Sequence, residues 1–416
     1  MIHHRLKHCL LLLQCQLLTT TLASTTTTNL STFIFLADLH IGEGCQTSHT
    51  NYTFNDTNCY SVQDLNHTVT KINSLVGNTS LIIVGGDLTS SAQRTEFLAA
   101  KHYLDKLQSP YIATIGNHDV WEYDETIGDR TPFPRGDLLF SEIFQDTFVR
   151  ARALGQLTYP NVSVPNGRVT NSNSLLHAQS WTFRPGSTFS IGLQNLTFLA
   201  PDFNTRDRAP PPCPGSSPVG GCGVTGKADF NNVTGGSWDW FQSELQAMSQ
   251  EVGERSERSK RSEERSEERS EERSDERSET NESSESKADE TLLKEDQSVV
   301  YFVTHQPFRC RFGIPDWYFC YSKIMKKNFR DVVSKYGLKK IFESGSQLSG
   351  HQHRWYSGTA FDEWEKFQQF EVSAVKGDVY DSDMSSSFAV FQVDENGKKE
   401  NVVRWWRENQ TWVQGV

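Results

Sequence analysis

After its first twenty or so residues the chain has no apolar run approaching the roughly 18 to 20 residues that a membrane-crossing helix requires, so no transmembrane anchor is expected. It has no excess of positive charge: 41 Lys and Arg stand against 52 Asp and Glu, a formal net charge of -11. Long-range attraction to nucleic acid or to an anionic membrane is therefore not expected, and no nucleic-acid-binding domain is read. There is no Cys-x-x-Cys, which argues against a zinc ribbon. Apolar residues are scarce for a globular chain, 36% of 416 positions, but the shortage is local. Residues 254–279, ERSERSKRSEERSEERSEERSDERSE, contain none.

What remains is enough for a sizeable core, and the N-terminus reads as an address. Arg5 and Lys7 precede a short apolar core from Leu10 to Leu18, and Thr21-Leu22-Ala23 supplies the small residues of a cleavage site. Residues 1–23 are read as a secretory signal peptide. Setting aside Cys9 and Cys15 inside it, the six other cysteines fall into neighbouring pairs: Cys45 with Cys59, Cys213 with Cys222, Cys310 with Cys320. Proximity suggests disulfides in an oxidising compartment, although six cysteines permit 15 connectivities. Asn-x-Ser/Thr sequons begin at Asn29, Asn51, Asn55, Asn66, Asn78, Asn161, Asn195, Asn232, Asn281 and Asn409. Together these point to a secreted or lumenal glycoprotein, extracellular, vacuolar or lysosome-like.

Three short apolar runs follow, each ending in polar residues: Thr32 to Ala37 before Asp38, Leu81 to Val84 before Gly85-Gly86-Asp87, and Tyr111 to Ile115 before Gly116-Asn117-His118-Asp119. Their length and β-branched content read as buried strands. Val62, Leu65, Val69, Ile72 and Val76 recur between the first two at helical spacing, and Phe97, Leu98, Leu104 and Leu107 between the next two. Strand, helix, strand, helix, strand is the pattern of a largely parallel sheet, whose carboxyl edge collects loops from several strands. Later, Ser298 to Thr304 runs into His305, and Lys340-Ile341-Phe342 leads through Glu343-Ser344-Gly345 towards His351 and His353. Strand-like runs at Phe367 to Val372, Phe388 to Val393 and Asn401 to Trp406 close the chain, with Glu395-Asn396-Gly397-Lys398 as a hairpin turn. The Arg/Ser/Glu segment, residues 254–290, is expected to be a disordered surface insertion, with a fluctuating single helix as the alternative.

Chemistry-bearing residues gather at the strand ends: Asp38 and His40 in ADLHIG, Asp87 in GGDLT, Asn117 and His118 in GNHD, His305 in THQPF, His351 and His353 in SGHQHRW. Each fragment alone is an ordinary turn sequence. As a set they supply what two divalent ions 3.5 to 4 Å apart require: a carboxylate with two oxygens to bridge, neutral nitrogens, and an amide oxygen.

In this order, D-x-H, G-D, G-N-H-D, H, G-H-x-H, the chain resembles the calcineurin-like metallophosphoesterase superfamily. The resemblance implies a four-layer α/β/β/α sandwich over residues 31–416 with two metal ions, zinc, iron or manganese, between the sheets' carboxyl ends. It implies that Asp38, His40 and His353 hold the first ion, that Asn117, His305 and His351 hold the second, and that Asp87 bridges. It implies a phosphate-ester substrate, monoester or diester, attacked in line by a metal-bound hydroxide, with His118 beside the leaving oxygen. Purple acid phosphatases carry a tyrosine three residues after the bridging aspartate and a glycine two after the first; here those positions are Ser90 and His40. Acid sphingomyelinases share D-x-H, but the cysteine-rich saposin-type segment that precedes their catalytic domain is not found. A sphingomyelinase-like lipid phosphodiesterase and a noncatalytic glycoprotein retaining the fold are the alternative readings, and oligomeric state is left open. Asp202 and Asn204, in LAPDFN, are candidates for the cleft wall, and Arg309, Arg311 and Arg354 for phosphate contacts.

Overall fold

Leu81–Gly85, LIIVG, and Val299–Val303, VVYFV, are buried at every position. Strands covered on both faces have no solvent side for polar residues, so they read as unbroken apolar runs. Each is an interior strand of one of two sheets. The structure is a computed structural model that describes residues 31–43, 59–75, 81–124, 129–130, 135–153, 157–158, 168–170, 173–175, 179–183, 196–204, 228, 230, 237–276, 299–310, 320–375, 387–393, 399–406 and 411–414. The leader, Cys45, Cys213, Cys222, the 395–398 turn and every sequon asparagine except Asn66 lie outside them.

The strands are β1 (Ser31–Leu36), β2 (Leu81–Gly85), β3 (Tyr111–Thr114), β4 (Tyr123–Asp124), β5 (Asp129–Arg130), β6 (Leu157–Thr158), β7 (Arg168–Thr170), β8 (Asn173–Leu175), β9 (Gln179–Phe183), β10 (Leu196–Ala200), β11 (Val299–Val303), β12 (Ser346–Ser349), β13 (Tyr356–Phe361), β14 (Trp364–Glu371), β15 (Ser387–Val393), β16 (Lys399–Trp406) and β17 (Thr411–Gln414). The helices are α1 (Tyr60–Leu75), α2 (Arg94–Leu104), α3 (Gly136–Ala153), α4 (Ser237–Glu276), α5 (Lys323–Lys335) and α6 (Lys339–Ser344). One sheet runs β17-β16-β15-β1-β2-β3 and the other β13-β14-β12-β11-β10-β9-β6. Strands β1, β2 and β3 are parallel, as are β10, β11, β12 and β14, and antiparallel strands extend both sheets.

Side-chain alternation on β11 shows the layering. Tyr301 packs on Phe33 and Phe198 between the sheets. Its neighbour Phe302 turns to Phe241 of α4, Phe329 of α5 and Phe342 of α6. Across the first sheet, α1 buries Val62, Leu65, Val69 and Ile72, and Phe97 of α2 meets Phe140 and Phe144 of α3. The result is the expected four-layer α/β/β/α sandwich, with mixed sheets.

Two expectations need correction. Lys340-Ile341-Phe342 lies in helix α6, and the strand that delivers His351 is the polar stretch SQLS. Residues 254–276 are helical, the alternative reading of this segment, and continue α4; residues 277–290 lie outside the described residues. That helix is nucleated where Phe241 and Leu245 are fully buried, and extending an existing helix adds one hydrogen bond per residue fixed. Glu254 with Arg258 and Glu257 with Arg261 pair at i,i+4 on its exposed continuation. Among the described residues no helix is long and apolar enough to cross a membrane.

Candidate metal centre

Register brings the polar strand ends together. Parallel pairing sets Leu36 beside Val84 and Gly85 beside Thr114, so Asp38, Asp87 and Asn117 emerge at one edge. In the second sheet Val303 sits beside Leu348, which delivers His305 and His351 from adjacent strands. The chain then turns sharply. Of six non-glycine residues with positive φ among those described, five are Asp38 (57°), His40 (43°), Asp87 (50°), His351 (78°) and His353 (56°). Such conformations cost about 1 to 3 kcal/mol each and gather at functional sites.

Glycine serves a different purpose at Gly116 and Gly350, which lie close to carboxylates. A Cβ at Gly350 would stand 2.3 Å from Asp38 Oδ2, and one at Gly116 2.1 Å from the Asp87 nitrogen. The Asp38 carboxylate accepts from the His351 backbone N–H at 2.9 Å, tying the two sheets' loops together.

Seven side chains present donor atoms at ligand-to-ligand spacing. Nε2 of His40 lies 3.0 Å from Nε2 of His353 and 3.5 Å from Asp87 Oδ2, and His353 Nε2 is 3.7 Å from Asp38 Oδ1. Nε2 of His305 is 2.9 Å from Asn117 Oδ1, 3.0 Å from Asp87 Oδ2 and 3.1 Å from His351 Nδ1. Neighbouring ligands each about 2.1 Å from one ion stand roughly 3 Å apart, so both groups fit a cation without rearrangement. Asp38, His40 and His353 form one cluster of ligand atoms, Asp87, His305 and His351 a second, and His40, Asp87 and His118 a third. Asp87, whose Oδ2 faces both His40 and His305, joins the two halves.

Outer contacts set tautomers and loop positions. His305 donates from Nδ1 to the Gly85 carbonyl at 3.1 Å, leaving Nε2 for a ligand position. His118 donates its backbone N–H to Asp87 Oδ1 at 2.8 Å, and its Nδ1 lies 3.0 Å from the Ser90 carbonyl. The Asp119 carboxylate gathers the backbone N–H groups of Leu88, Thr89 and Gly116 and the Thr89 hydroxyl at 2.7 to 3.0 Å. It therefore clamps the Asp87 loop to the Asn117 loop, a role the sequence did not reveal. Arg309 points to Thr359 and Asp362 at an exposed position.

Burial works against charge on Asp87, yet His305, His118 and His40 around it hold its carboxyl well below the usual carboxylate range. His305 resists the same burial because Asp87 lies against it, and it is pushed up to about 9. Burial, reinforced by His305, pulls His351 down to about 3. Burial and then Asp87 push Asp119 up to about 7.

A pH dependence follows for the metal-free protein. A histidine raised from 6.5 to about 9 on folding stabilises below 6.5, and that contribution is lost as pH rises through 9. His351 completes its titration below pH 7, and Asp119, raised to about 7, loses its proton at the start of that range and adds to the fall. The metal-free Tm is therefore expected to fall from pH 7 to 9. A bound ion requires neutral imidazole, so the loaded protein should melt at a steady temperature over that range. Thermal melts of stripped and loaded protein check both.

Residues 31–188 match the family model for calcineurin-like phosphoesterases, a span that holds Asp38, His40, Asp87, Asn117 and His118. That match describes a metal-dependent phosphoesterase domain. The match over residues 31–188 relates this part of the chain to calcineurin-like phosphoesterases. Among solved structures it is similar to a dimetal phosphatase from Danio rerio, at 13% identity and a TM-score of 0.44, covering 92% of this chain and 98% of that one. It is also similar to a 5'-nucleotidase from Candida albicans, at 12% identity and a TM-score of 0.37, covering 90% of this chain and 50% of that one. No curated protein sequence matches the chain.

Proposed function

We propose that Asp38, His40 and His353 hold one cation, that Asn117, His305 and His351 hold a second, and that Asp87 bridges them in a hydrolase of phosphate esters. The observation that carries this reading is the 2.9 to 3.5 Å spacing of donor atoms around His40 Nε2 and His305 Nε2. Mixed nitrogen and oxygen donors suit zinc, iron or manganese. When bound, such ions supply neutralisation of phosphoryl oxygens and activation of water near neutral pH.

The chain's own residues do the rest. Asp87 orients His118 through its backbone N–H, and Nδ1 donates to the Ser90 carbonyl, so Nε2 is the nitrogen that gives a proton to the leaving oxygen when the ring is doubly protonated. Secretion or lumenal residence is part of the same proposal. Cys310 and Cys320 are joined with Cα atoms 5.8 Å apart, Cys59 is disulfide-bonded, and the sequon residue Asn66 is exposed on α1.

The test is hydrolysis of p-nitrophenyl phosphate and bis-p-nitrophenyl phosphate by protein purified from a secretory host, before and after chelation. Turnover of at least one ester, lost on chelation and restored by a divalent ion, is expected. The preferred ester fixes the monoester or diester class. Turnover that survives complete metal removal would contradict the reading.

A further inference from the structure

Asp202 and Asn204 read from the sequence as cleft-lining residues, yet they are 2% and 1% exposed. Asn204, just beyond β10, uses both ends of its amide. Nδ2 donates to the Ile115 carbonyl at 3.0 Å, two residues before Asn117, and to Asp202 Oδ1 at 2.8 Å. Oδ1 accepts from Nε2 of Gln306, the residue after His305, at 2.7 Å. Asp202 Oδ1 also accepts the Asn204 backbone N–H at 3.0 Å.

The connection continues to the third loop. The Gln306 carbonyl accepts from Nε2 of Gln347 at 3.1 Å, and Gln347 Oε1 accepts the Phe308 N–H at 3.0 Å. Gln347 lies on β12, four residues before His351. Asn117, His305 and His351, the three terminal ligands assigned to the second cation, thus sit on loops joined by one chain of buried amides.

We propose that Asn204 is the positioning residue of the second cation site, holding the Asn117 and His305 loops at the separation that ion requires. The proposal rests on the two-ion reading above. A primary amide suits the place because it donates to one loop and accepts from the other. A carboxylate there would lack the donors and would oppose Asp202. Outer contacts of this kind typically change metal affinity by about 10- to 100-fold when removed.

The test is a competition titration of zinc-loaded wild type, Asn204→Ala and Gln306→Met with a soluble chelator, zinc per chain being measured by elemental analysis. Gln306→Met keeps the side-chain length and removes only its amide, and it carries the test if Asn204→Ala does not fold. The expected wild type holds two ions. The expected variants release one ion at about 10- to 100-fold lower chelator concentration and keep the other as the wild type does. A purely structural role would lower Tm without separating the two affinities. Two ions held as in wild type, or both weakened equally, would overturn the assignment of Asn204 alone. A wild type that binds fewer than two ions would overturn the two-ion reading and this proposal with it.

Discussion

Asp87→Ala is expected to lower kcat/KM for any phosphate ester by roughly a thousandfold or more and to strip the protein of most of its metal. The magnitude follows from losing several kcal/mol of charge stabilisation, at about 1.4 kcal/mol per factor of ten. Asp87 is 1% exposed and lies between the two histidine groups, with Oδ2 at 3.5 Å from His40 Nε2 and 3.0 Å from His305 Nε2. Alanine leaves both groups without the carboxylate that favours a cation between them. Its other oxygen orients the His118 backbone at 2.8 Å, so the leaving-group side loosens as well. Asp87→Asn keeps the shape and removes the charge, which separates packing from electrostatics. It is expected to resemble alanine in metal content and to melt closer to wild type. Steady-state kinetics, elemental analysis and thermal melts of both variants provide the measurements.

His118→Asn has the second largest expected effect, and its signature is different. Two ions should remain bound, while kcat falls by about 10²- to 10⁴-fold on esters with alkoxide leaving groups. The loss should shrink sharply for p-nitrophenyl esters, because p-nitrophenolate leaves without a proton. His118 packs edge-on against His40 at 4.7 Å between ring centroids, beside the proposed cation site. Equal losses on both leaving groups, or loss of metal, would assign His118 to the cation set instead. Comparing the two ester types on one enzyme preparation decides it.

The first sheet was legible because its strands are unbroken apolar runs, and the parallel register carried the motif residues to one edge. The ligand candidates were legible for a related reason: glycine and polar residues interrupt those runs only where the chain turns. Strand β12 was not, since Ser346, Gln347 and Ser349 carry no apolar signal. Gln347 is fully buried there because Thr304, Gln306 and Phe308 satisfy its amide, a long-range arrangement invisible to periodicity. The clamp made by Asp119 and the buried bridge made by Asn204, which the sequence offers only as a cleft-wall candidate, are invisible to periodicity for the same reason. Their partners lie about 30 and 100 residues away, at 30 to 31 for Asp119 with Thr89 and Leu88, and 89 to 102 for Asn204. The charged continuation of α4 was misread because its composition suits solvent, while the buried Phe241 and Leu245 that start the helix lie upstream of the repeat.

Anomalous diffraction from crystals of the protein as isolated tests the central claim most directly. Two peaks about 3.5 to 4 Å apart are expected, one beside His40 and His353, the other beside His305 and His351, with Asp87 touching both. A single ion, or two ions that Asp87 does not join, in crystals of protein that still hydrolyses phosphate esters would contradict the account.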